Sequence, residues 1–372
     1  MISSKGFRPT WVDIDVGAFR HNLRAVVGLL GRSVKILAVL KADAYGHGAV
    51  PLARAAQSLG NRLWGFGVSS VEEGMALRGA GVSHRVLILG SLYPFESFDQ
   101  VLAQDLTPTV ASRLSALALA KRAKQRGRPA VCHIKIDTGM GRIGMAPETA
   151  QALIPTLKEN PWVRVEGVYT HLASADNNAS TEHQLKLFER TTASFQNGLR
   201  HTANSGAVLA RPHAHFDLVR PGLALLGAYP WPALQRVVSL RPVLTWKSRV
   251  VFLKTVAKGT SVSYGGTWRA SRRSRLATLP VGYADGYRRE LSNRGSVLIR
   301  GRRCPVAGRV TMDQIVVDVT GATGVDVGEE VVLLGSQGNE RVSVEEMAHI
   351  VGTIPYDIFC GISKRVPRVV KE

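Results

Sequence analysis

Lys41 closes a largely apolar run, residues 34–40, and opens the stretch Lys41-Ala42-Asp43-Ala44-Tyr45-Gly46-His47-Gly48. A lysine at such a place is either a solvated charge or an amine held in apolar surroundings. Burial disfavours ammonium and leaves neutral amine, the form that attacks an aldehyde to make a Schiff base. Lys135, Asp137 and Arg142 follow in His133-Ile134-Lys135-Ile136-Asp137-Thr138-Gly139-Met140-Gly141-Arg142. A lysine directed inward needs a negative partner or must give up its charge. The plainer alternative for this group is a buried ion pair with Asp137. His171 ends the run 163–170, where it is either a catalyst or an ordinary core histidine. Asn204 and Ser205 follow the run 199–203, and Arg220, Gly222 and Leu223 follow 216–219. Ser205 offers a hydroxyl, and Gly222 and Leu223 offer backbone N–H groups at an expected helix start. That combination suits a phosphate, although a glycine there also serves as a simple turn.

Each of these groups follows a short apolar or β-branched run, and the runs set the fold. They lie at 34–40, 63–68, 85–89, 107–110, 130–136, 163–170, 199–203 and 216–219. Between them stand segments with apolar residues at helical spacing, such as 112–126 and 181–197. Strands alternating with helices imply a parallel sheet, and eight of them imply an α/β fold of the (β/α)8 TIM-barrel type. Such barrels carry function at the C-terminal strand ends, with phosphate sites in the last two loops. All the groups above then map to one rim. Asp15 is placed to cap an opening helix whose Val16, Phe19, Leu23, Val26 and Leu30 share a face. After about residue 240 the pattern becomes β-rich, at 248–253, 276–281, 296–299, 315–319 and 330–334, with helical periodicity only near 344–351. The expected division is therefore a barrel, 1–240, followed by a mainly β C-terminal domain, 241–372.

The chain of 372 residues has 48 Lys and Arg against 28 Asp and Glu, so its formal charge is 48 − 28 = +20. The basic residues are scattered, and the densest runs, 121–128, 272–275 and 300–303, carry few aromatics. They read as solvated surface that steers anionic ligands rather than as a nucleic-acid interface. No run approaches the ~18 apolar residues of a membrane span, and the start lacks the apolar core of a signal peptide. Cys132, Cys304 and Cys360 have no metal or redox spacing, which suits a reduced cytoplasm.

These residues, in this order, closely resemble the alanine racemase family. The most specific pieces are Ala38-Val39-Leu40-Lys41-Ala42-Asp43-Ala44-Tyr45-Gly46-His47-Gly48 and Lys135-Ile136-Asp137-Thr138-Gly139-Met140-Gly141-Arg142. Further pieces are Val262-Ser263-Tyr264-Gly265, Gly282-Tyr283-Ala284-Asp285-Gly286-Tyr287, Gly308-Arg309-Val310-Thr311-Met312-Asp313 and Tyr356-Asp357. The resemblance implies pyridoxal 5′-phosphate (PLP) as cofactor, L- and D-alanine as substrates, and a head-to-tail homodimer with shared active sites. It implies that Lys41 holds PLP and that Arg220, oriented by His171, faces the pyridine nitrogen. Asn204, Ser205, Gly222, Leu223, Tyr356 and Tyr45 join the cofactor site. Tyr264, from the second subunit, is the other acid/base. Arg142 and the Met312 backbone hold the substrate carboxylate, and Lys135 is a possible carbamate. Thr311 and Leu226 depart from the commoner pattern, in which Cys and an aromatic residue stand at these places.

Racemisation by two bases needs Lys41 on one face of Cα and Tyr264 on the other. Their unperturbed pKa values, about 10.4 and 10, must both be tuned toward neutrality. The alternatives are a racemase of broader range, a serine racemase included, and a non-catalytic PLP-binding protein. A decarboxylase of related architecture would be expected to face the pyridine nitrogen with an acidic residue rather than Arg220.

Overall fold

The computed structural model describes residues 7–372. It forms two compact units. One comprises Arg20–Ala44 and Ala49–Leu240; the other comprises the described residues up to Phe19, then Tyr45–Gly48 and Arg241–Glu372.

The chain opens with strand β1 (Thr10–Asp15) and the helix Val16–Val27. The Asp15 carboxylate accepts the Ala18 N–H at 2.7 Å, the expected cap. Phe19, Leu23 and Val26 are fully buried along one face of this helix.

Eight parallel strands form the first unit's sheet: β2 (Lys35–Val39), β3 (Leu63–Val68), β4 (Arg85–Ile88), β5 (Thr107–Val110), β6 (Ala130–Lys135), β7 (Val163–Tyr169), β8 (Leu199–His201) and β9 (Leu218–Val219). Neighbours follow chain order from β2 to β8, and β9 returns to pair with β2. The ring closes because Asp217 N donates to Arg200 O at 3.1 Å and Arg220 N to Ala203 O at 2.9 Å. Strands covered on both faces must be apolar on both, and β3 and β5 are buried throughout. The surrounding helices start at side-chain caps. Ser70 accepts Glu73 N ahead of Val71–Gly79, and Ser112 and Ser115 form a reciprocal cap on Arg113–Gln125. This is the (β/α)8 barrel that the alternating runs imply.

The second unit is mainly β. In its larger sheet β1 lies antiparallel to β10 (Leu244–Arg249) and parallel to Arg368–Lys371. From β10 the sheet continues through Glu330–Gln337, Ser296–Ile299 and Arg302–Pro305. A smaller sheet joins Phe252–Val256, Ser274–Leu279 and Ile315–Asp318. The sequence reading has no strand before Val16, yet Trp11, Val12 and Ile14 are buried core of this unit. It also runs one strand through 248–253, where the structure has two strands, ending at Arg249 and starting at Phe252. Among the described residues no helix is long and apolar enough to cross a membrane, and no group of His, Cys, Asp or Glu is arranged to hold a metal.

Candidate active site

Lys41 stands just past the C-terminal end of β2, at the first position of a left-handed turn. Ala42, Asp43, Ala44 and Tyr45 have φ of +52°, +51°, +53° and +51°. Each L-residue held there costs about 1–2 kcal/mol, so the turn persists only because its surroundings fix it. Leu40 N is bonded to Gly67 O at 2.9 Å and Ala44 N to Leu40 O at 2.7 Å. The Glu73 carboxylate accepts Ala42 N and Ser69 N, both at 2.8 Å, and Asp43 accepts Ala49 N at 2.7 Å. Glu73 was not apparent in the sequence, because nothing local links it to a loop 31 residues earlier.

Arg220, only 4% exposed, lies at the end of β9. Its Nη1 donates to His201 Nδ1 and to His201 O, both at 2.9 Å. Its Nη2 donates to Thr170 O at 2.6 Å and Thr202 O at 2.9 Å. The guanidinium also sits over the Tyr169 ring, 5.1 Å from its centroid. Burial lowers its pKa to about 10. The ring that holds Arg220 is therefore His201, not His171 as expected from the resemblance. Both histidines end barrel strands, but only the β8 residue lies beside β9 across the closure.

His171 is enclosed by cations instead. Its pKa falls to about 3, first through burial and then through Arg220, Lys135, Arg142 and Lys41. Lys135 is 4% exposed. Burial lowers it to about 8, helped by Arg142, Arg220 and Lys41 and opposed by Asp137. No ion pair joins Lys135 to Asp137. The Asp137 carboxylate is used to turn its own loop, accepting Gly139 N at 3.0 Å and Gly141 N at 3.1 Å. Gln184, also absent from the sequence reading, ties two rim loops together. Its amide donates to Thr138 Oγ1 and His171 O, both at 3.2 Å, and accepts Ala173 N at 2.9 Å.

Asn204 caps the short helix Ser205–Ala210, accepting Ala207 N at 3.1 Å. Ser205 Oγ accepts Gly222 N at 2.9 Å and Ala224 N at 3.2 Å, so the hydroxyl lies against the amides of the loop that Leu223 also belongs to. In the second unit Tyr45 packs edge-on against Tyr356 with ring centroids 5.5 Å apart. Burial raises the Tyr356 phenol to about 12. Tyr264 is 72% exposed and, with Tyr283, Arg288 and Thr311, lines an open cavity of ≈ 600 Å³. It follows Ser263, held at φ +63° by a 2.7 Å bond to Arg309 O. Met312 is 53% exposed, and its carbonyl accepts Ala284 N at 3.0 Å.

The barrel rim thus gathers Lys41, Lys135, Arg142 and Arg220 around His171. A rim of that charge suits an anionic occupant, and pyridoxal phosphate with an amino-acid carboxylate fits it. Fold and rim together define a barrel-plus-β-domain protein built for an anionic small molecule. Residues 14–230 match the family description "Alanine racemase, N-terminal domain", and residues 243–370 match "Alanine racemase, C-terminal domain". The alanine racemase of Symbiobacterium thermophilum is 47% identical over 370 residues, covering 98% of this chain and 97% of that relative. The solved alanine racemase of Clostridium difficile superposes with a TM-score of 0.91 at 35% identity, covering 98% of this chain and 96% of that one. That of Bacillus anthracis, solved with bound L-Ala-P, gives 0.90 at 34% identity over 98% and 96%. The chain belongs to the alanine racemase family.

Proposed function

We propose that this chain is a PLP-dependent racemase that interconverts L- and D-alanine as a homodimer. The observation that carries the reading is the cationic rim, with an amine at Lys41 and an arginine, not a carboxylate, at position 220. When bound, the cofactor conjugates the electron pair released at Cα into its ring.

Lys41 would hold the cofactor and move the Cα proton on one face. Tyr264 of the partner subunit would move it on the other. Arg142, with the backbone at Met312 of the partner subunit, would fix the substrate carboxylate. Ser205, Gly222, Leu223, Tyr45 and Tyr356 would hold the phosphate, with Asn204 shaping the loop around Ser205. Arg220 stays protonated at neutral pH, since even its lowered pKa lies near 10. It would therefore donate a hydrogen bond to the pyridine nitrogen and keep its own proton. A carboxylic acid there would release one to the ring, draw electron density from Cα more strongly and invite side reactions. His171, neutral among four cations, adds no competing charge.

The test is a chiral assay of purified protein and PLP against a panel of L-amino acids. The expected result is D-alanine, accumulating toward equal amounts of the two enantiomers. Comparable turnover of serine would favour the broader racemase. PLP binding without any racemisation would leave only the non-catalytic reading.

A further inference from the structure

We propose that Glu166, His133 and His201 form a one-way hydrogen-bond relay inside the barrel that fixes how Arg220 is presented, with Glu166 and His133 as positioning residues. Its final step, toward the cofactor, rests on the reading that Arg220 faces the pyridine nitrogen.

The relay begins at Arg220 Nη1, 2.9 Å from His201 Nδ1. His201 Nε2 lies 2.8 Å from His133 Nδ1. His133 Nε2 lies 3.6 Å from Glu166 Oε2, an ion-pair distance just beyond a formed hydrogen bond, and neither atom has a hydrogen-bond partner among the described residues, so the two buried atoms face each other. Both rings are fully buried. His133, on β6, touches Trp64 of β3, ring centroids 5.1 Å apart, and His201 of β8. It also lies against Gly167 of β7, where an added Cβ would come within 2.7 Å of the ring. Neighbours from three other strands place His133 inside the ring of strands, and Gly167 makes its room. Tyr169 stacks on His201 at 4.7 Å and holds its plane.

The direction follows from the two ends. Arginine has only donors, so His201 Nδ1 must be bare and its proton must sit on Nε2. That N–H donates to His133 Nδ1, which leaves the His133 proton on Nε2, aimed at Glu166. An ionised carboxylate only accepts, so the far end selects the same arrangement independently. The opposite pair of tautomers would set an N–H of His201 against an N–H of Arg220. No proton travels along the relay; its work is to hold one pattern.

The ionisation states agree. Burial keeps both histidines neutral, with Arg220 acting further on His201. At Glu166 burial opposes the charge, but His133, Arg85 and Arg164 outweigh it and hold the carboxyl below its usual range. Arg85 and Arg164 reach that carboxylate at 3.5 and 3.7 Å. Glu166 also borders a second cavity of ≈ 370 Å³, lined by Arg85, Arg126, Arg128 and Arg164.

The experiment reads histidine tautomers by nitrogen-15 NMR on the labelled holoprotein, before and after cofactor removal. In the unmutated protein both rings should be neutral with the proton on Nε2. In Glu166→Ala the Arg220 end still fixes both protons on Nε2, and the His133 Nε2 signal alone should shift as its N–H loses the facing carboxylate. The substitution should also lower kcat by about tenfold, as loss of outer hydrogen-bond partners does elsewhere, with a much smaller change in KM for alanine. Glu166→Gln retains an acceptor and should keep the tautomers and most of kcat. A proton on Nδ1 of either ring in the unmutated protein overturns the relay. So does a Glu166→Ala protein that loses thermal stability while the His133 Nε2 signal and kcat stay unchanged. If Glu166→Ala does not fold, the unmutated spectrum and Glu166→Gln still decide. Correct tautomers in a protein that does not racemise alanine would leave the relay standing and remove the functional reading.

Discussion

Lys135 is the residue whose chemistry is least settled by its type alone. Its pKa near 8, set first by burial and then by neighbouring cations, makes much of it neutral amine in mild alkali. Only the neutral amine captures carbon dioxide, forming an N–C bond and releasing a proton. A carbamate at Lys135 would place an anion against Arg142 and Arg220. Carbon-13 bicarbonate at about pH 8.5 should give a carbamate signal that is lost in Lys135→Ala; a free amine under those conditions would refute it. The sign for the unmodified lysine is also fixed. Its folded pKa is below the unfolded value of about 10.4, so the unfolded chain binds more protons between them. Stability should therefore rise with pH from about 8 to about 10.4 when carbon dioxide is excluded, as urea melts would show. Lys41 and Tyr264 invite a separate test. Borohydride reduction and peptide mapping should find the pyridoxyl group on Lys41 and on no other lysine. Tyr264→Phe should slow racemisation in both directions by on the order of 10²–10⁴-fold. It should retain solvent deuterium exchange at Cα of D-alanine and largely lose it from L-alanine. Equal loss of both exchanges would indicate a damaged pocket. The places of Lys41 and Arg220 at the ends of β2 and β9 were legible because each follows an apolar run. His201 was not, because His171 and His201 both sit at strand ends, and only the closure of β8 on β9 decides which one meets Arg220.

The left-handed turn after β2 is an element that the sequence conceals. Alanine is the strongest helix former, so Ala42 and Ala44 suggest a right-handed helix or nothing. The turn is imposed by Glu73, Asp43 and the strand register, which are tertiary facts. Ala42 is exposed with φ +52°, so its strain is open to direct measurement. Ala42→Gly should stabilise the protein by up to about 1 kcal/mol, the relief of a left-handed residue less glycine's greater entropy loss. Ala42→Val should destabilise it by more than that, since a β-branched residue tolerates positive φ poorly. Denaturant melts of the two variants decide, and a valine variant as stable as the parent would remove the argument for strain. The barrel strands were easy to read by contrast. A parallel sheet covered on both faces favours apolar and β-branched runs, and each of the eight runs holds one barrel strand, although β8 itself is only Leu199-Arg200-His201. Strand β1 gave no equivalent signal. Its partners, Leu244–Arg249 and Arg368–Lys371, are far along the chain, and a short run before a capped helix reads as a lead-in.

The molecule as a whole carries an incomplete surface on its second unit. Tyr264, Tyr283 and Met312 are 72%, 44% and 53% exposed, unusual for large apolar side chains. In the proposed homodimer this surface meets the barrel rim of the other copy. Specific activity should therefore fall on dilution in step with the monomer fraction seen by sedimentation. A monomer with full activity would end the shared-site reading. The pairing of β1 has another consequence, in the order of synthesis. The ribosome makes β1 first, yet its antiparallel neighbour comes more than 200 residues later and its parallel neighbour at the last strand. The barrel strands, all encoded between, are complete before either exists. At about 5–20 residues per second, β1 waits on the order of tens of seconds with Trp11, Val12 and Ile14 uncovered. A nascent chain arrested before residue 244 should then bind chaperone through its first twenty residues, and a chain released at full length should not.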